Sequence, residues 1–207
     1  MIIAIIGSGN VGSALAQGFV KAGHTVLIGA QFPLSDKSIK LATLIGEDRF
    51  NSIEGAVKQA EIIVLATPAK LAVEIAQSLG NTTGKVIIDT MNIVRGIGPA
   101  GFSNTTEAIL ANTQSTDVVK CFNTTGFENM LNPRAYAEGI DLFVAGNSEK
   151  GKQIAIQLAT EIGFRKVWDM GGNEQFTQIE NLANVWINLA IFRQLGRKMG
   201  FKLVEQD

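Results

Sequence analysis

Residues 2–12 read Ile-Ile-Ala-Ile-Ile-Gly-Ser-Gly-Asn-Val-Gly, an apolar run that leads directly into three spaced glycines. An uninterrupted apolar run of this kind predicts a strand that is buried on both faces of a parallel sheet. In such a turn the first glycine permits the tight bend, the second brings backbone N–H groups close to a pyrophosphate, and the third lets the next helix pack on the strand. The stretch therefore predicts a dinucleotide-binding turn made by Gly7, Ser8, Gly9, Asn10, Val11 and Gly12.

The position of this motif supports the prediction, because the spacing alone is weak evidence in a chain with 22 glycines. The motif follows the first apolar run and opens a stretch with Val11, Leu15 and Phe19 at a helical period. A second apolar run, residues 25–28, comes next. This order of strand, helix and strand is that of a βαβ unit, whose helix directs its positive N-terminal end at the phosphates.

The composition predicts a well-packed chain and argues against several kinds of partner. Of the 207 residues, 46% are hydrophobic and 18% are charged, and the formal net charge is −1. We therefore expect neither nucleic acid nor a membrane as a partner, and no signal peptide. One cysteine, Cys121, cannot form an intrachain disulfide, and one histidine, His24, completes no metal-ligand set. We accordingly expect a cytoplasmic protein without a metal site.

Strand and helix patterns alternate along the whole chain. The predicted strands are residues 2–6, 25–28, 49–51, 61–66, 85–89, 117–122, 141–145 and 164–168. The predicted helices are residues 10–22, 36–45, 53–59, 69–79, 103–112, 148–162 and 174–199. This alternation predicts an α/β fold of the Rossmann type, with a doubly wound, mostly parallel sheet, helices on both faces and a small C-terminal helical portion. We divide it into a nucleotide-binding core, 1–122, and a smaller portion, 123–207, that packs on the core; one single domain, 1–207, is the alternative.

The end of the second predicted strand bears on the choice between NAD and NADP. NAD enzymes usually carry an acidic residue at this tip, which binds the ribose hydroxyls and repels a 2′-phosphate. Here the tip has Gln31 instead, followed by Ser35 and Lys37. These three side chains can donate to a 2′-phosphate, with Lys37 as the charge partner. We favour NADP on this basis; a solvated loop that touches nothing is the alternative.

Small and polar residues also follow the next three apolar strands. Small residues and a proline at a carboxyl strand end let the backbone run beside the ribose and pyrophosphate, although a proline also suits the first turn of a helix. An asparagine at such an end can bind a ribose or the nicotinamide amide, or be an ordinary turn residue. The candidate cofactor-binding residues at these positions are Ala66, Thr67, Pro68, Asn92, Asn123 and Thr124. All lie at the edge where open α/β sheets bind ligands.

No acid–base pair is evident, and we assign no catalytic residue. The polar stripe Glu180, Asn184 and Asn188 on the last predicted helix is more typical of a solvent-facing or subunit-contact surface than of a catalytic row. Reducing a ketone usually needs a proton donor beside the hydride path. Hydride transfer between two ring cofactors needs mainly stacking and exclusion of water. The sequence favours this second chemistry.

Together these clusters resemble the coenzyme F420-dependent NADP oxidoreductase family, which includes the flavin-reducing cytosolic domains of membrane metalloreductases. The resemblance is carried by residues 6–12, 28–31, 89–92, 118–124, 169–172, 180–183 and 186–190. It implies a Rossmann domain with a small C-terminal part, often a homodimer. It also implies NADP(H) across the strand ends and a deazaflavin (coenzyme F420) or a flavin (FMN or FAD) stacked on the nicotinamide as co-substrate. Gln31 departs from the family, which commonly has an arginine there for the 2′-phosphate.

Two other functions stay open. The first is reduction of an imine or a small hydroxy acid, as in relatives of pyrroline-carboxylate reductase. Those enzymes carry a long all-helical second domain, whereas one substantial helix, 174–199, is predicted after this sheet. The second is a non-catalytic module that senses NADP(H) and changes the affinity of a partner.

Overall fold

The computed structural model describes residues 1–206 and forms one eight-stranded sheet covered by helices on both faces. The strands are β1 (Ile2–Ile6), β2 (Thr25–Gly29), β3 (Phe50–Asn51), β4 (Ile62–Leu65), β5 (Val86–Asp89), β6 (Asp117–Cys121), β7 (Asp141–Ala145) and β8 (Lys166–Asp169). The α-helices are α1 (Asn10–Lys21), α2 (Asp36–Ile45), α3 (Ile53–Gln59), α4 (Ala72–Ser78), α5 (Thr105–Ala111), α6 (Phe127–Leu131), α7 (Glu149–Ile162) and α8 (Phe176–Ile187).

The strand order is β3-β2-β1-β4-β5-β6-β7-β8, and β1 through β6 are all parallel. β7 pairs with β6 in the antiparallel direction, and β8 runs parallel to β7. The chain changes direction in the sheet order after β3, so β1 and β4 flank the point where ligands bind in folds of this kind. The predicted α/β, doubly wound, mostly parallel fold is confirmed.

The core has a layer on each face of the sheet. Ile3 and Ile5 of β1 pack in the layer that contains α1 and α7, whereas Ala4 and Ile6 pack in the layer that contains α3, α4 and α5. Alternate side chains of a strand point to opposite faces, so both faces of β1 are buried. This burial explains why the N-terminal run is apolar at every position instead of at every second one.

The C-terminal region differs from its prediction. The predicted helix 174–199 is too long, because α8 ends at Ile187 and a π-helical turn, Asn188–Phe192, follows it. Gln194 (φ +57°) and Gly196 (φ +93°) then leave the helical conformation. The short helix α6 was not predicted. β7 and β8 continue the sheet of residues 1–122, so the two portions predicted from the sequence share one sheet.

The last described residues fold back onto the end of the sheet. The amide of Asp141 donates to the carbonyl of Phe201 (2.8 Å), and the amide of Leu203 donates to the Asp141 carboxylate (2.9 Å). Arg165 binds the same carboxylate through two nitrogens, at 2.7 and 2.6 Å. Asp141 therefore holds β8 and the C-terminal segment together. Among the helices of residues 1–206, none combines the length and apolarity needed to cross a bilayer.

Candidate dinucleotide-binding site

The turn after β1 has the shape that the glycine spacing predicted. Gly7 has φ +112°, and a Cβ there would lie 2.5 Å from the carbonyl oxygen of Ala66. A Cβ on Gly12 would overlap the carbonyl oxygen of Gly7. By contrast, a Cβ on Gly9 would have no atom within 4 Å. Backbone packing thus requires glycine at positions 7 and 12, whereas Gly9 leaves open space above the turn.

The N-terminal end of α1 faces this open space with its amides uncapped. Gly9 is the N-cap residue, no side chain bonds the first amides, and the first turn contains no acidic residue. The first N–H groups of a helix have no partner within the helix, and they carry the positive end of its dipole. Asn10, Val11 and Gly12 form this first turn. The arrangement is suited to binding an anion such as a pyrophosphate.

A cavity of about 280 Å³ lies at the carboxyl ends of β1, β2 and β4. The predicted site residues that line it are Gly7, Ser8, Gly9, Gln31, Ser35, Ala66, Thr67 and Pro68. Apolar side chains, among them Ile53 and Leu71, form other parts of its wall. The structure therefore brings three of the predicted clusters, far apart in sequence, around one cavity of mixed apolar and hydroxyl character.

Lys37 lies apart from Gln31 and Ser35. It lines a neighbouring cavity of about 140 Å³ together with Lys40, Ser8 and Asn10. Two ammonium groups thus border the space beside the N-terminus of α1. A phosphate that meets Lys37 would have to approach from this side and not from within the larger cavity.

Ser38, which sequence reasoning missed, connects α2 to the phosphate-binding turn. Its hydroxyl is 2.7 Å from the Ser8 hydroxyl and donates to the carbonyl of Phe32 at 2.9 Å. The Ser35 hydroxyl caps α2 by accepting from the Ser38 amide. Ser38 is fully buried. The pattern Ser-Asp-Lys-Ser at 35–38 is typical of a helix start, and that signal could have drawn attention to this position.

Asn92 and Asn123 bind each other at the carboxyl ends of β5 and β6. Asn92 Nδ2 donates to the backbone carbonyl of Asn123 (2.8 Å), and Asn123 Nδ2 donates to Asn92 Oδ1 (2.9 Å). Thr124 is buried beside them, and its hydroxyl has no partner among residues 1–206. The two amides thus make a rigid connection between neighbouring strand ends, and Asn123 Oδ1 also has no partner in this part of the chain.

A buried ionic cluster lies beneath this pair. Lys120 Nζ is 2.7 Å from Asp89 Oδ2 and 2.8 Å from Glu180 Oε1, and Lys120 and Asp89 are completely buried. Thr105 donates to Asp89 at 2.5 Å. Glu180 also accepts from the backbone amide of Ile93 at 2.8 Å, which fastens the loop after β5 to α8.

The prediction that Glu180 faces solvent or a subunit contact is wrong, because this residue is only 3% exposed. Its burial follows from its role as the second anion beside Lys120. One signal could have revealed half of this cluster. Asp89 and Lys120 occupy matching positions in two apolar strands, and they are register partners in the sheet. Opposite charges inside two buried strands indicate an ion pair.

A doubly wound sheet whose first strand ends in a glycine turn at an uncapped helix N-terminus defines a dinucleotide-binding protein of the Rossmann class. Residues 2–93 match the family model described as NADP oxidoreductase coenzyme F420-dependent. The F420-dependent NADP reductase of Methanothermobacter thermautotrophicus is 29% identical over 222 residues, which cover 98% of this chain and 94% of that protein. The resemblance found in the sequence is confirmed: residues 2–93 match the model of the coenzyme F420-dependent NADP oxidoreductase family, and the likeness to the Methanothermobacter reductase extends over nearly the whole chain.

Solved structures agree with this assignment. A protein from Arthrobacter sp. FB24, provisionally described as an F420-dependent NADP reductase, matches with a TM-score of 0.88 and 25% identity, over 99% of this chain and 100% of that one. A reductive aminase from Aspergillus terreus, in complex with NADPH and ethyl levulinate, matches with a TM-score of 0.65 and 17% identity. That match covers 93% of this chain and 62% of the aminase, and it shows a shared fold.

Proposed function

We propose that this protein is an NADP(H)-dependent oxidoreductase that transfers a hydride directly between the nicotinamide and a deazaflavin (coenzyme F420) or a flavin (FMN or FAD). One observation carries the proposal. At the carboxyl ends of β5 and β6 the groups are the paired amides of Asn92 and Asn123, whereas Lys120, Asp89 and Glu180 are buried in ion pairs with one another. Transfer between two rings needs stacking and exclusion of water more than a proton donor.

Different residues of the site would bind different parts of the dinucleotide. The uncapped amides of Asn10, Val11 and Gly12 would hold the pyrophosphate, and the chain at Ala66–Pro68 would run beside the ribose. Asn92, Asn123 and Thr124 would orient the nicotinamide end. The bound nicotinamide supplies or accepts the hydride. The name of the Methanothermobacter relative and the family description both support NADP(H) and F420 as the reacting pair.

The role of Lys37 in selecting NADP over NAD is tested by comparing the affinities for NADPH and NADH in a Lys37 variant. Lys37→Glu places a carboxylate beside the small cavity at α1 and should weaken NADPH binding roughly tenfold or more, because it replaces attraction of the 2′-phosphate by repulsion. NADH, which lacks that phosphate, should be affected much less. Lys58→Glu, an exposed lysine on α3, is the matched control and should leave both affinities unchanged. Equal loss of NADPH and NADH in Lys37→Glu would remove the assignment.

The decisive experiment mixes the protein anaerobically with NADPH and, separately, with F420, FMN or FAD, and follows both absorbance spectra. Loss of the NADPH absorbance together with bleaching of the ring cofactor supports the proposal. Unchanged spectra with all three acceptors reject it. Parallel mixtures with cyclic imines and 2-oxo acids test the alternative function, reduction of an imine or formation of a small hydroxy acid. The fold shared with the reductive aminase favours this alternative. Tight NADPH binding without turnover of any acceptor would instead indicate a sensing module.

We further propose that the protein is a homodimer, as the family resemblance implies. Sedimentation equilibrium tests this directly. A mass of one chain over the micromolar range would contradict it.

A further inference from the structure

Three charged side chains meet in the interior at the carboxyl ends of β5 and β6, and we call them the charge cluster. Asp89 is the last residue of β5, Lys120 lies in β6, and Glu180 lies in α8. The ammonium group of Lys120 contacts both carboxylates, at 2.7 Å and 2.8 Å. Within residues 1–206 no other cation lies at ion-pair distance from either carboxylate. One positive charge thus faces two negative charges, and the cluster has one negative charge in excess.

Hydrogen bonds favour the ionised form of both carboxylates. Asp89 Oδ1 accepts from the amide of Met91 (2.9 Å), and its Oδ2 accepts from the ammonium group (2.7 Å). The two oxygens of Glu180 accept from the amides of Ile93 (2.8 Å) and Thr105 (2.9 Å). Each of the four oxygens therefore has a donor, and a proton on either carboxyl group would displace one of these donors.

The N-terminal end of α5 is a second source of positive charge beside the cluster, but it does not cancel the excess. Thr105 is the first residue of α5, and its amide donates to Glu180. The positive end of a helix amounts to about half an elementary charge. Burial preserves the remainder, because Lys120 and Asp89 are 0% exposed and Glu180 is 3% exposed. Water and salt therefore screen this charge only weakly.

The charge cluster lies beneath the residues that the proposed function assigns to the nicotinamide. Asn92 follows Asp89 by three residues, and Asn123 follows Lys120 by the same interval. The side chains of the two asparagines bind each other across the strand ends. Three residues of extended chain span about 10 Å. A nicotinamide ring oriented by these amides would therefore lie on the order of 10 Å from the excess charge.

The nicotinamide ring changes its charge during hydride transfer. When the reduced ring gives up a hydride, one proton and two electrons leave together and pass to the acceptor ring. The nicotinamide ring is neutral before this step and carries one positive charge after it. A fixed negative charge nearby therefore stabilises the oxidised form and has little effect on the reduced form.

We infer that the excess negative charge of the cluster favours the oxidised form of the bound dinucleotide and so makes bound NADPH a stronger hydride donor. The inference rests on the proposed function, which places the nicotinamide beside Asn92 and Asn123, and it adds the direction in which the site biases the hydride. The three charged side chains do not touch the ring and act through their electric field. A merely structural role would instead change the affinities for NADP⁺ and NADPH by the same factor.

Glu180→Gln tests the inference, because it removes the excess charge and keeps the size of the side chain. The affinities for NADP⁺ and NADPH are measured by calorimetry with no second substrate present. Relative to NADPH, NADP⁺ should bind roughly tenfold more weakly than it does to the unmodified protein, which is the effect of one elementary charge at about 10 Å and an effective dielectric constant of about 20. Asp89→Asn removes the same charge and should move the ratio in the same direction. The two variants disturb different hydrogen bonds, so one folded variant is sufficient.

Two controls separate charge from structure. Glu61→Gln makes the same chemical change at an exposed carboxylate that also accepts from a backbone amide, that of Ile2, at 2.9 Å. Glu61 precedes β4 and lies at the amino end of the sheet, so this variant should keep the ratio of the two affinities. The second control is 2′-phospho-ADP-ribose, the same dinucleotide without its nicotinamide. It should bind Glu180→Gln and the unmodified protein equally well.

The outcomes that contradict the inference are distinct from failure of the proposed function. A ratio of NADP⁺ to NADPH affinity that stays within about twofold of the unmodified value in the folded variants would overturn the inference. So would an equal weakening of NADP⁺, NADPH and 2′-phospho-ADP-ribose, because the cluster would then only support the structure. If NADPH reduces no ring cofactor, the proposed function fails, whereas the shift of the affinity ratio is still measured by binding alone.

Discussion

Replacing Lys120 by methionine should destabilise the protein more than any surface substitution. Lys120→Met keeps the length and the apolar stem of the side chain but removes the ammonium group that lies between Asp89 and Glu180. The two carboxylates would then remain buried, with Thr105 as a hydrogen-bond donor to both of them. Water cannot replace the missing cation, because the side chains of Lys120 and Asp89 are 0% exposed and that of Glu180 is 4% exposed.

The expected magnitude follows from this burial. Removing one partner of a buried ion pair costs about 3–5 kcal/mol, because an uncompensated charge stays in the interior. In a chain of this size, 1 kcal/mol lowers the melting temperature by about 2–4 °C. We therefore expect Lys120→Met to melt roughly 6–20 °C below the unmodified protein. The loss is a large part of a typical total stability of about 5–15 kcal/mol.

Urea and thermal unfolding, followed by circular dichroism, measure the change. Lys150→Met is the matched control, because Lys150 also pairs with an aspartate, Asp117, but at 3.3 Å and with 55% of its side chain exposed. This control should lose less than about 1 kcal/mol. Lys120→Met combined with Asp89→Asn should recover part of the loss, which a double-mutant cycle would show. A free energy of unfolding for Lys120→Met within about 1 kcal/mol of the parent would refute the reasoning.

Three further tests address separate parts of the structure. Gly12→Ala should destabilise the fold and abolish dinucleotide binding, because its Cβ would overlap the carbonyl oxygen of Gly7. Gly9→Ala should keep the melting temperature and lose only binding, which calorimetry measures. Equal losses of stability in the two variants would contradict the packing of the glycine turn. Burial raises the pKa of Asp141, but the bonds from Arg165 and other donors outweigh it and hold the pKa below its ordinary value. The stability that this carboxylate contributes is therefore present above about pH 4 and is lost as the pH falls through the lowered pKa. The difference in free energy of unfolding between the unmodified protein and Asp141→Asn should therefore become smaller in acid, as unfolding curves at several pH values would show. Burial raises the pKa of Cys121 to about 12, and thiol reagents should label it only on unfolding; rapid labelling of the folded protein would be inconsistent with this.

Most of the strands were predictable because they are apolar runs buried on both faces, which is a local property of the sequence; β3 and β8 are only partly buried. The end of the last helix was not predictable. Residues 188–195 keep a helical spacing of apolar side chains, yet the amide of Arg193 bonds the carbonyl of Asn188 and that of Leu195 bonds the carbonyl of Leu189. These wider hydrogen bonds form where the segment meets Arg95, a residue distant in sequence. A contact between residues so distant in sequence does not change the spacing of apolar residues, so this spacing could not reveal it.

The candidate site likewise has features that could be predicted from the sequence and features that could not. The glycine turn was predictable because all its determinants lie within six residues and each has a backbone reason. The approach of Gln31 and Pro68 to one cavity followed from the rule that parallel strands end at one edge. The separation of Lys37 from Gln31 could not be predicted, since it depends on how α2 sits on the turn through the contact of Ser38 with Ser8. The partnership of Lys120 with Glu180 likewise depends on the packing of α8.

The reversal of β7 determines where the final helix can go. Because β7 and β8 run opposite to β1–β6, the chain leaves β8 near Asn147, on the side of the sheet where Ser148 bonds Asp117 at the start of β6. α8 then runs from this side toward the carboxyl ends of the parallel strands. Trp186, near the end of α8, packs against Gly126, beyond the end of β6. The antiparallel pairing of β7 with β6 thus allows this chain to place its last helix beside the carboxyl ends of its own parallel strands.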